Sequence, residues 1–225
     1  MAAAPAYDLW SSTYDSESGN LVVALDEIMF AELLEPCQLS GKIIVDVGCG
    51  TGRHWAKMLA RNPAQLLGFD VSRGMLARLL EKHAGAQVQL VSDHRLDDLA
   101  DASCDLLVSN LALAHFPDSA AALLEWARVL KPGGELIVTD LHPDVAAGGD
   151  CTFRHQDALQ AVKLFVHPLD SLKVSAGRSG FSLLRLVEKV VEPSMRRYYE
   201  AGGASAAFDR MNGTPLLLGL HLRRM

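Results

Sequence analysis

The segment Ile43–His54 reads IIVDVGCGTGRH and predicts a strand, a tight turn and a helix in immediate succession. β-Branched residues surround Asp46, a composition typical of a strand that is buried on both faces of a parallel sheet. Glycines then follow at alternate positions, Gly48, Gly50 and Gly52. Glycine adopts positive φ angles without strain and lets a ligand approach the backbone closely. The segment therefore predicts the first crossover of a nucleotide-binding α/β fold.

The next predicted strand, Gln65–Asp70, ends in an acidic residue that is a candidate ligand-binding group. Asp70 lies about twenty residues beyond the glycine loop, where an acidic side chain meets the hydroxyl groups of a ribose in nucleotide-binding folds. The alternative role for Asp70 is to cap the following helix, but Ser72 is better suited to that role. We therefore favour ribose binding by Asp70.

Three further strands are predicted before residue 141. The third covers residues 88–91 and precedes Asp93, and the fourth is Cys104–Asn110. A helix over residues 120–130 ends at a proline and two glycines, which turn the chain into the fifth strand, Glu135–Asp140. Strands that alternate with helices in this way predict a parallel sheet.

Three of these segments together resemble class I S-adenosylmethionine-dependent methyltransferases of the broad group related to ubiquinone/menaquinone biosynthesis enzymes. They are the glycine loop with its acidic residue in the strand, the segment around Asn110 and Leu111, and the sequence LKPGGELIVTD at 130–140. The resemblance is specific over 43–140 and concerns only the layout of elements elsewhere. It implies S-adenosylmethionine as cofactor and an α/β fold with a doubly wound, seven-stranded, mostly parallel sheet whose last strand is antiparallel.

The resemblance also implies a division of the chain, which we predict to form one methyltransferase domain over residues 1–225. Residues 1–40 would form an N-terminal helical flap and 43–140 the cofactor-binding core. Within the flap, apolar residues at helical spacing from Leu21 to Leu33 predict an amphipathic helix that packs on the sheet. Residues 141–180 would form a small substrate cap between strands five and six, with a strand over 161–166. Residues 181–225 would supply the strands that close the sheet.

The cofactor would contact residues of the glycine loop, of the following strand ends and of the flap. Asp93 matches an acid that accepts a hydrogen bond from the adenine amino group, although the loop after it, Arg95–Leu99, is atypical for the family. His94 is a candidate beside it, with a surface loop position as the alternative. The full predicted set is Tyr14, Asp46, Gly48, Cys49, Gly50, Asp70, Val71, Met75, Asp93, His94, Asn110 and Leu111.

The flap carries a repeated Tyr-Asp pair, at Tyr7 and again at Tyr14. In the family, a segment of this kind folds over the bound cofactor. For Tyr14 a cofactor contact and simple packing are both open, whereas Tyr7 is predicted only to pack. Val71 and Met75 would flank the adenine or belong to the core.

Methyl transfer from a sulfonium is an in-line displacement in which the protein mainly aligns the reacting groups. A general base contributes only when the nucleophile arrives protonated. His115 and His142 are the candidate residues that would contact the methyl acceptor or act as its general base, and His167 is a third. Each lies near the carboxyl edge of the sheet, where ligands bind in this kind of fold. The alternative is that each is a hydrogen-bonded loop residue. The three lack the paired spacing of a metal site, so we predict no metal. His83, His155 and His221 are interpreted as surface residues.

Composition narrows the remaining possibilities. The chain has 225 residues, of which 49% are hydrophobic and 21% charged, and its formal net charge of -6 disfavours a nucleic-acid partner. The four cysteines are scattered without a C-x-x-C pair and predict reduced thiols in a cytoplasmic protein, not a zinc site or disulfides. The beginning lacks the features of a signal peptide, and no segment is predicted to span a membrane.

The predicted function is methyl transfer from S-adenosylmethionine to a small-molecule acceptor, and three alternatives stay open. A nicotinamide-dependent oxidoreductase is disfavoured by Arg53, which replaces the third glycine of the dinucleotide fingerprint, and by the lack of a Tyr-x-x-x-Lys pair. A non-catalytic cofactor-binding protein would carry the same glycine loop. A protein or RNA substrate is disfavoured by the acidic net charge. The basic and aromatic cluster at 196–199 either lines an anionic pocket or, as we favour, forms a solvated helix face.

Overall fold

The computed structural model describes residues 1–16, 20–146, 151–156, 158–201 and 205–225. Its strands, in chain order, are β1 Ile43–Val47, β2 Gln65–Asp70, β3 Gln87–Leu90, β4 Cys104–Asn110, β5 Leu130–Leu141, β6 Cys151–His155, β7 Ala158–Val162, β8 Phe181–Val190 and β9 Pro215–Arg224. Its helices are α1 Ala3–Trp10, α2 Leu21–Leu34, α3 Trp55–Leu59, α4 Arg73–Lys82, α5 Ser119–Val129, α6 Pro143–Ala146, α7 Leu169–Arg178, α8 Arg196–Ala201 and α9 Ser205–Met211. None of the helices in the described part of the chain has the length and apolarity needed to cross a membrane.

Seven strands form one sheet in the order β3-β2-β1-β4-β5-β9-β8. The pairs from β3 to β5 are parallel, whereas β9 is antiparallel to both β5 and β8. The predicted α/β fold is therefore confirmed, including the antiparallel last strand.

The two faces of the sheet carry separate cores, because successive strand residues point to opposite sides. Ile44 packs with buried residues of α2, α3 and α4, whereas Val45, its neighbour in sequence, packs with α5 and α7. The doubly wound arrangement thus follows from an apolar strand that is buried on both faces. It also leaves the carboxyl ends of β1, β2 and β4 together at one edge of the sheet.

Two local predictions need correction. The strand expected over 161–166 is instead β7, which ends at Val162 and pairs with β6 in a separate antiparallel hairpin. The Lys131–Gly134 turn is part of β5, where the pairing with β4 is irregular between Cys104 and Leu106. Residues 147–150 and 157, within the predicted cap, lie outside the described residues.

Candidate active site

A cavity of about 490 Å³ opens at the carboxyl edge of the sheet. Ligand pockets in proteins have volumes of roughly 300–1,000 Å³, so the cavity can hold a cofactor-sized molecule. Its walls come from the glycine loop, from the ends of β2, β3 and β4, and from the N-terminal segment. The lining residues are Ala2, Ala3, Ala4, Tyr7, Tyr14, Val47, Gly48, Gly50, Phe69, Asp70, Val71, Met75, Val91, Ser92, Asp93, His94, Asn110, Leu111, Ala112, His115, Phe116 and Pro117.

The floor of the cavity is the glycine loop after β1. Gly48 has a φ of +72°, and a Cβ atom at this position would lie 2.4 Å from the Cβ of Ala112. Gly50 has a φ of +52° and donates its backbone N–H to Asp70 Oδ2 at 2.8 Å. Only glycine combines this backbone conformation with a bare surface, so the loop presents its main chain to the cavity.

Asp70 ends β2 and is fixed by backbone donors on both carboxylate oxygens. Oδ1 accepts a hydrogen bond from the Ser72 N–H at 2.8 Å, while Oδ2 accepts the bond from Gly50. Burial nevertheless raises the pKa of Asp70, against the lowering effect of these backbone donors. The Ser72 hydroxyl caps α4 by accepting from Met75 N–H, as predicted, which leaves the Asp70 carboxylate to line the cavity.

The end of β4 contributes a polar atom without a partner. Asn110 donates its side-chain amide to Thr139 Oγ1 at 2.7 Å, but its Oδ1 is buried and accepts no hydrogen bond from the described residues. The next residue, Leu111, has a φ of +53°. A left-handed backbone at a residue other than glycine costs of the order of 1–3 kcal/mol and is concentrated at functional sites.

The N-terminal segment forms the wall of the cavity opposite the sheet. The Tyr7 hydroxyl lies 2.8 Å from His115 Nε2, and both residues line the cavity. Asp8 Oδ1 fastens α1 to the start of α4 by accepting from the Ser72 hydroxyl at 2.6 Å and from the Gly74 N–H at 2.8 Å. The ring of Trp10 stacks on Phe153 of β6 at a centroid distance of 4.6 Å.

Electrostatics at this wall favour neutral side chains. Burial raises the pKa of the Tyr7 phenol well above its usual value. Burial also lowers the pKa of His115, although the backbone of Lys163 opposes this shift. Near neutral pH, therefore, Tyr7 is a protonated donor and His115 is an uncharged imidazole that can accept a proton.

Most of the predicted site residues meet at the cavity, but three of them do not line it. Asp46 accepts a hydrogen bond from the Trp55 indole N–H at 2.8 Å, beneath the loop. Cys49 is buried and its Sγ packs against Gly68 of β2. His142 lies beyond the end of β5 with its Nε2 3.0 Å from Glu188 Oε1. These three residues therefore lie outside the lining of the cavity, and a ligand contact by any of them stays a prediction.

The other histidines and the basic cluster also have definite positions. The His167 Nε2 lies 2.9 Å from the carbonyl oxygen of Phe116, outside the cavity. His221 is buried at 5% exposure, so its interpretation as a surface residue is wrong. Arg196 and Arg197 are exposed, and Arg196 pairs with Asp209, whereas Tyr199 packs against Phe208. The predicted solvated face is therefore confirmed for the two arginines but not for Tyr199.

The sequence did not single out several wall residues. Tyr7 was expected only to pack, yet its hydroxyl lies 2.8 Å from His115 Nε2 and both side chains line the cavity. Phe116 and Pro117 follow the predicted fourth strand by several residues, and their place in the wall depends on the short helical turn at Leu113–His115. The repeated Tyr-Asp pair was the one available signal for Tyr7.

Comparison with known proteins agrees with this geometry. A family profile described as a methyltransferase domain matches residues 45–138. An uncharacterised methyltransferase of Emericella nidulans is 30% identical over 231 residues, which cover 83% of this chain and 79% of that protein. The malonyl-[acyl-carrier protein] O-methyltransferase of Hahella chejuensis is 37% identical over 144 residues, covering 62% of this chain and 47% of that enzyme.

Solved structures show the same fold. An S-adenosylmethionine-dependent methyltransferase from Mesorhizobium loti superimposes with a TM-score of 0.68 at 21% identity, covering 87% of this chain and 97% of that one. The chain spans only 36% and 47% of the length of the first two curated relatives that it matches.

Proposed function

Since the chain belongs to the class I S-adenosylmethionine-dependent methyltransferase family, we propose that it transfers a methyl group from S-adenosylmethionine to a small-molecule acceptor. The observation that carries the proposal is the single cavity in which the bare glycine loop, the Asp70 carboxylate and the Tyr7–His115 pair all meet. S-adenosylmethionine supplies a methyl group already activated by the positive charge of its sulfonium. The chain's own residues then have to bind, align and exclude water.

The polar groups of the cavity suit the cofactor, because most of them are hydrogen-bond acceptors. The Asp70 carboxylate would bind the ribose hydroxyls, and Asp93 at the rim would accept from the adenine amino group. Asn110 Oδ1 accepts no hydrogen bond from the part of the chain that the structure describes, and it offers an acceptor for the ammonium group of the cofactor, since a buried carbonyl without a donor costs free energy. Val71 and Met75 supply apolar surface, and Tyr14 closes the cavity from the flap.

Calorimetric titration tests this assignment. Wild-type protein should bind S-adenosylmethionine and its demethylated product with micromolar affinity, roughly -8 kcal/mol. Asp70→Ala should weaken both by at least about tenfold, because it removes the ribose acceptor and leaves the Gly50 and Ser72 N–H groups without their partner. Asp97→Ala, an exposed acid on the neighbouring loop, is the matched control and should bind as wild type. Equal affinities of Asp70→Ala and wild type would refute the assignment.

On the acceptor side, we propose that the Tyr7–His115 pair removes a proton from the nucleophile. The Tyr7 phenol donates its proton to His115 Nε2 and takes up the proton of the methyl acceptor. Tyr7 therefore stays neutral, and the positive charge resides on the His115 imidazole. The lowered pKa of His115 keeps its proton-accepting form populated at neutral pH, and activity should fall only as the pH drops below about 6.5. His142 is not included, because it lies outside the cavity.

Acceptor screening with phenols, carboxylic acids and amines, followed by variants, separates the possibilities. His115→Gln and Tyr7→Phe should lower kcat by about 10²- to 10⁴-fold while cofactor affinity stays within about threefold. His167→Gln, a neighbouring histidine outside the cavity, should retain activity. Unchanged kcat in His115→Gln would mean that the nucleophile arrives ionised. Cofactor binding with no turnover on any acceptor would favour a non-catalytic binding protein.

The small-molecule acceptor is favoured by the apolar wall formed by Phe116, Pro117 and Ala2–Ala4 and by the net charge of -6. The substrate in the name of the Hahella relative, a malonyl-[acyl-carrier protein], belongs in the screen as one carboxylic acid among others. Cytoplasmic location stays a prediction, which cell fractionation tests.

A further inference from the structure

A cluster of three potential metal ligands lies at the opposite edge of the sheet from the cavity. Cys37 follows α2, Glu135 lies on β5 and His221 lies on β9. His221 pairs with Ile137, two residues beyond Glu135, so the two side chains share the face of the sheet that α2 covers. Glu135 is five residues from Asp140 at the cavity end of β5, a separation of about 17 Å at 3.3 Å per residue.

The ligand atoms of the cluster converge on one point. Cys37 Sγ lies 3.7 Å from His221 Nε2, and Nε2 lies 3.0 Å from Glu135 Oε2. The ligand atoms of all three residues lie within 4.8 Å of one another. Around a tetrahedral zinc ion with bonds of about 2.0–2.3 Å, ligand atoms are separated by about 3.3–3.8 Å, so small side-chain shifts would suffice.

The same geometry argues against a catalytic triad. In a nucleophilic triad, the imidazole contacts the nucleophile through one ring nitrogen and the carboxylate through the other. Here both the thiol and the carboxylate approach Nε2 of His221. Burial and the neighbouring carboxylate of Glu135 raise the pKa of Cys37 to about 12, so the thiol is also a poor nucleophile.

Outer contacts hold two of the ligands in place. Arg223 donates to Glu135 Oε1 at 2.8 Å, which leaves Oε2 facing the cluster. Arg61 donates to the backbone carbonyl of Cys37 and fixes the loop that carries the thiol. Hydrogen bonds of this kind orient ligands at metal sites.

We propose that Cys37, Glu135 and His221 bind one zinc ion through Sγ, Oε2 and Nε2, with the fourth position open to water. A thiolate, an imidazole and a carboxylate form a ligand set that zinc accepts in tetrahedral geometry. The ion would join the end of α2 to β5 and β9, remote from the proposed methyl transfer. A zinc ion bound here would contradict our predictions, from the spacing of the histidines and of the cysteines, that the chain binds no metal.

Binding has a defined proton balance. The Cys37 S–H bond breaks, its proton passes to solvent and a Zn–S bond forms, with no change in oxidation state. The imidazole binds through Nε2 as the tautomer that carries its hydrogen on Nδ1, so the hydrogen that Glu135 accepts in the metal-free state moves to the other ring nitrogen, and the carboxylate binds in its ionised form. Zinc affinity should therefore rise about tenfold per pH unit near neutral pH.

Metal titration of the chelator-treated full chain tests the proposal. We expect one equivalent of zinc in competition with a chromogenic chelator, and one equivalent of cobalt(II) with a sulfur-to-cobalt charge-transfer band. Cys37→Ser should abolish that band, and His221→Gln should weaken zinc binding at least tenfold. Cys104→Ser is the matched control, because Cys104 is also buried with its pKa raised to about 12, but among the described residues it belongs to no cluster of potential metal ligands.

Two results would overturn the proposal: no uptake of zinc by the wild type, or a cobalt band that survives in Cys37→Ser. If Cys37→Ser does not fold, zinc-edge X-ray absorption on the wild type decides instead. One sulfur at about 2.3 Å with nitrogen and oxygen neighbours supports the site, and a shell without sulfur excludes it.

Discussion

At Gly48, a side chain would be unfavourable for two reasons: the backbone conformation of the loop and the close contact with Ala112. In Gly48→Ala the new Cβ would lie 2.4 Å from the Cβ of Ala112, in a backbone with a φ of +72°. The double variant with Ala112→Gly removes the contact, because the next atom is the Ala112 Cα at 3.9 Å. It keeps the backbone strain of about 1–2 kcal/mol. Urea unfolding should show that Gly48→Ala is less stable than the double variant. If the loss of unfolding free energy in the double variant equals the sum of the losses in the two single variants, the contact with Ala112 does not account for the effect.

Asp46 should make stability fall as the pH rises. Burial raises its pKa from 3.8 to about 7, although the Trp55 hydrogen bond opposes the shift. The folded state therefore holds a proton that the unfolded state loses, and its stabilising effect disappears between about pH 4 and pH 7. Asp46→Asn keeps an acceptor for Trp55 and cannot ionise.

Urea unfolding of both proteins between pH 5 and pH 8 measures this effect. As the pH rises, the free energy of unfolding of wild type should fall by a few kcal/mol relative to that of Asp46→Asn, since one pKa unit corresponds to about 1.4 kcal/mol. Asp105→Asn, on the neighbouring strand, is the control: burial opposes, but the Ile43 N–H and Lys131 lower the pKa of Asp105, so it is ionised in the folded and unfolded states and its difference from wild type should not vary over this pH range. A difference between wild type and Asp46→Asn that does not vary with pH would show that Asp46 is ionised throughout.

The two acids show how far sequence predicts individual roles. Asp46 and Asp70 were both expected at the cofactor, and only Asp70 lines the cavity. Asp70 is the last residue of its strand, whereas Asp46 precedes the end of β1 and points beneath the loop toward Trp55. The spacing in the sequence predicts a loop with an acidic residue near it. The direction of the Asp46 side chain, however, depends on its contact with Trp55 of α3, which follows the loop in sequence.

Among the elements, α1 should act as a cover whose attachment controls access to the cavity. Asp8→Ala removes both of its hydrogen bonds to the start of α4, each contributing about 1 kcal/mol. It also removes a negative charge near a helix N-terminus. We expect several-fold faster release of the demethylated cofactor, measured by stopped flow, and faster proteolysis within residues 1–16. Asp101→Ala, an exposed acid, is the control, and identical release rates in Asp8→Ala and wild type would exclude the covering role.

The elements that sequence predicted are those with strong periodic or continuous apolar patterns. β2 and β4 agree with their predicted bounds, and α2 packs on the sheet as expected. The short α1 is alanine-rich at its start and shows no such pattern. The run over 161–166 does not continue as a strand beyond Val162, and the Phe165 N–H donates instead to the carbonyl oxygen of Ala114 in the short helical turn after β4. Both α1 and the run over 161–166 take their structure from contacts with distant parts of the chain, which the local sequence pattern does not reveal.

At the scale of the whole molecule, Asp26 joins the flap, the glycine loop and the sheet. It is fully buried on α2, where it accepts from Arg53 at 2.6 Å and contacts His54 Nε2 at 2.9 Å. Its other oxygen accepts from Thr139 of β5, which in turn accepts from Asn110 at the cavity. Burial would raise the pKa of Asp26, but His54 and Arg53 lower it below its usual value. Asp26, which interrupts the apolar pattern of α2, thus forms a buried ion pair with Arg53.

Asp26→Ala should consequently destabilise the whole domain and not only the flap. Loss of one partner of a buried ion pair costs about 3–5 kcal/mol, because the other charge stays buried. Glu32→Ala is the matched control: it lies on the same helix and pairs with Arg185 and Lys189, but its side chain is 34% exposed, so its loss should cost about 1 kcal/mol or less. Urea unfolding followed separately by tryptophan fluorescence and far-ultraviolet dichroism measures both. A loss in Asp26→Ala no larger than in Glu32→Ala would show that Arg53 finds solvent or Glu27 as a substitute, and that the three parts of the molecule are not coupled through Asp26.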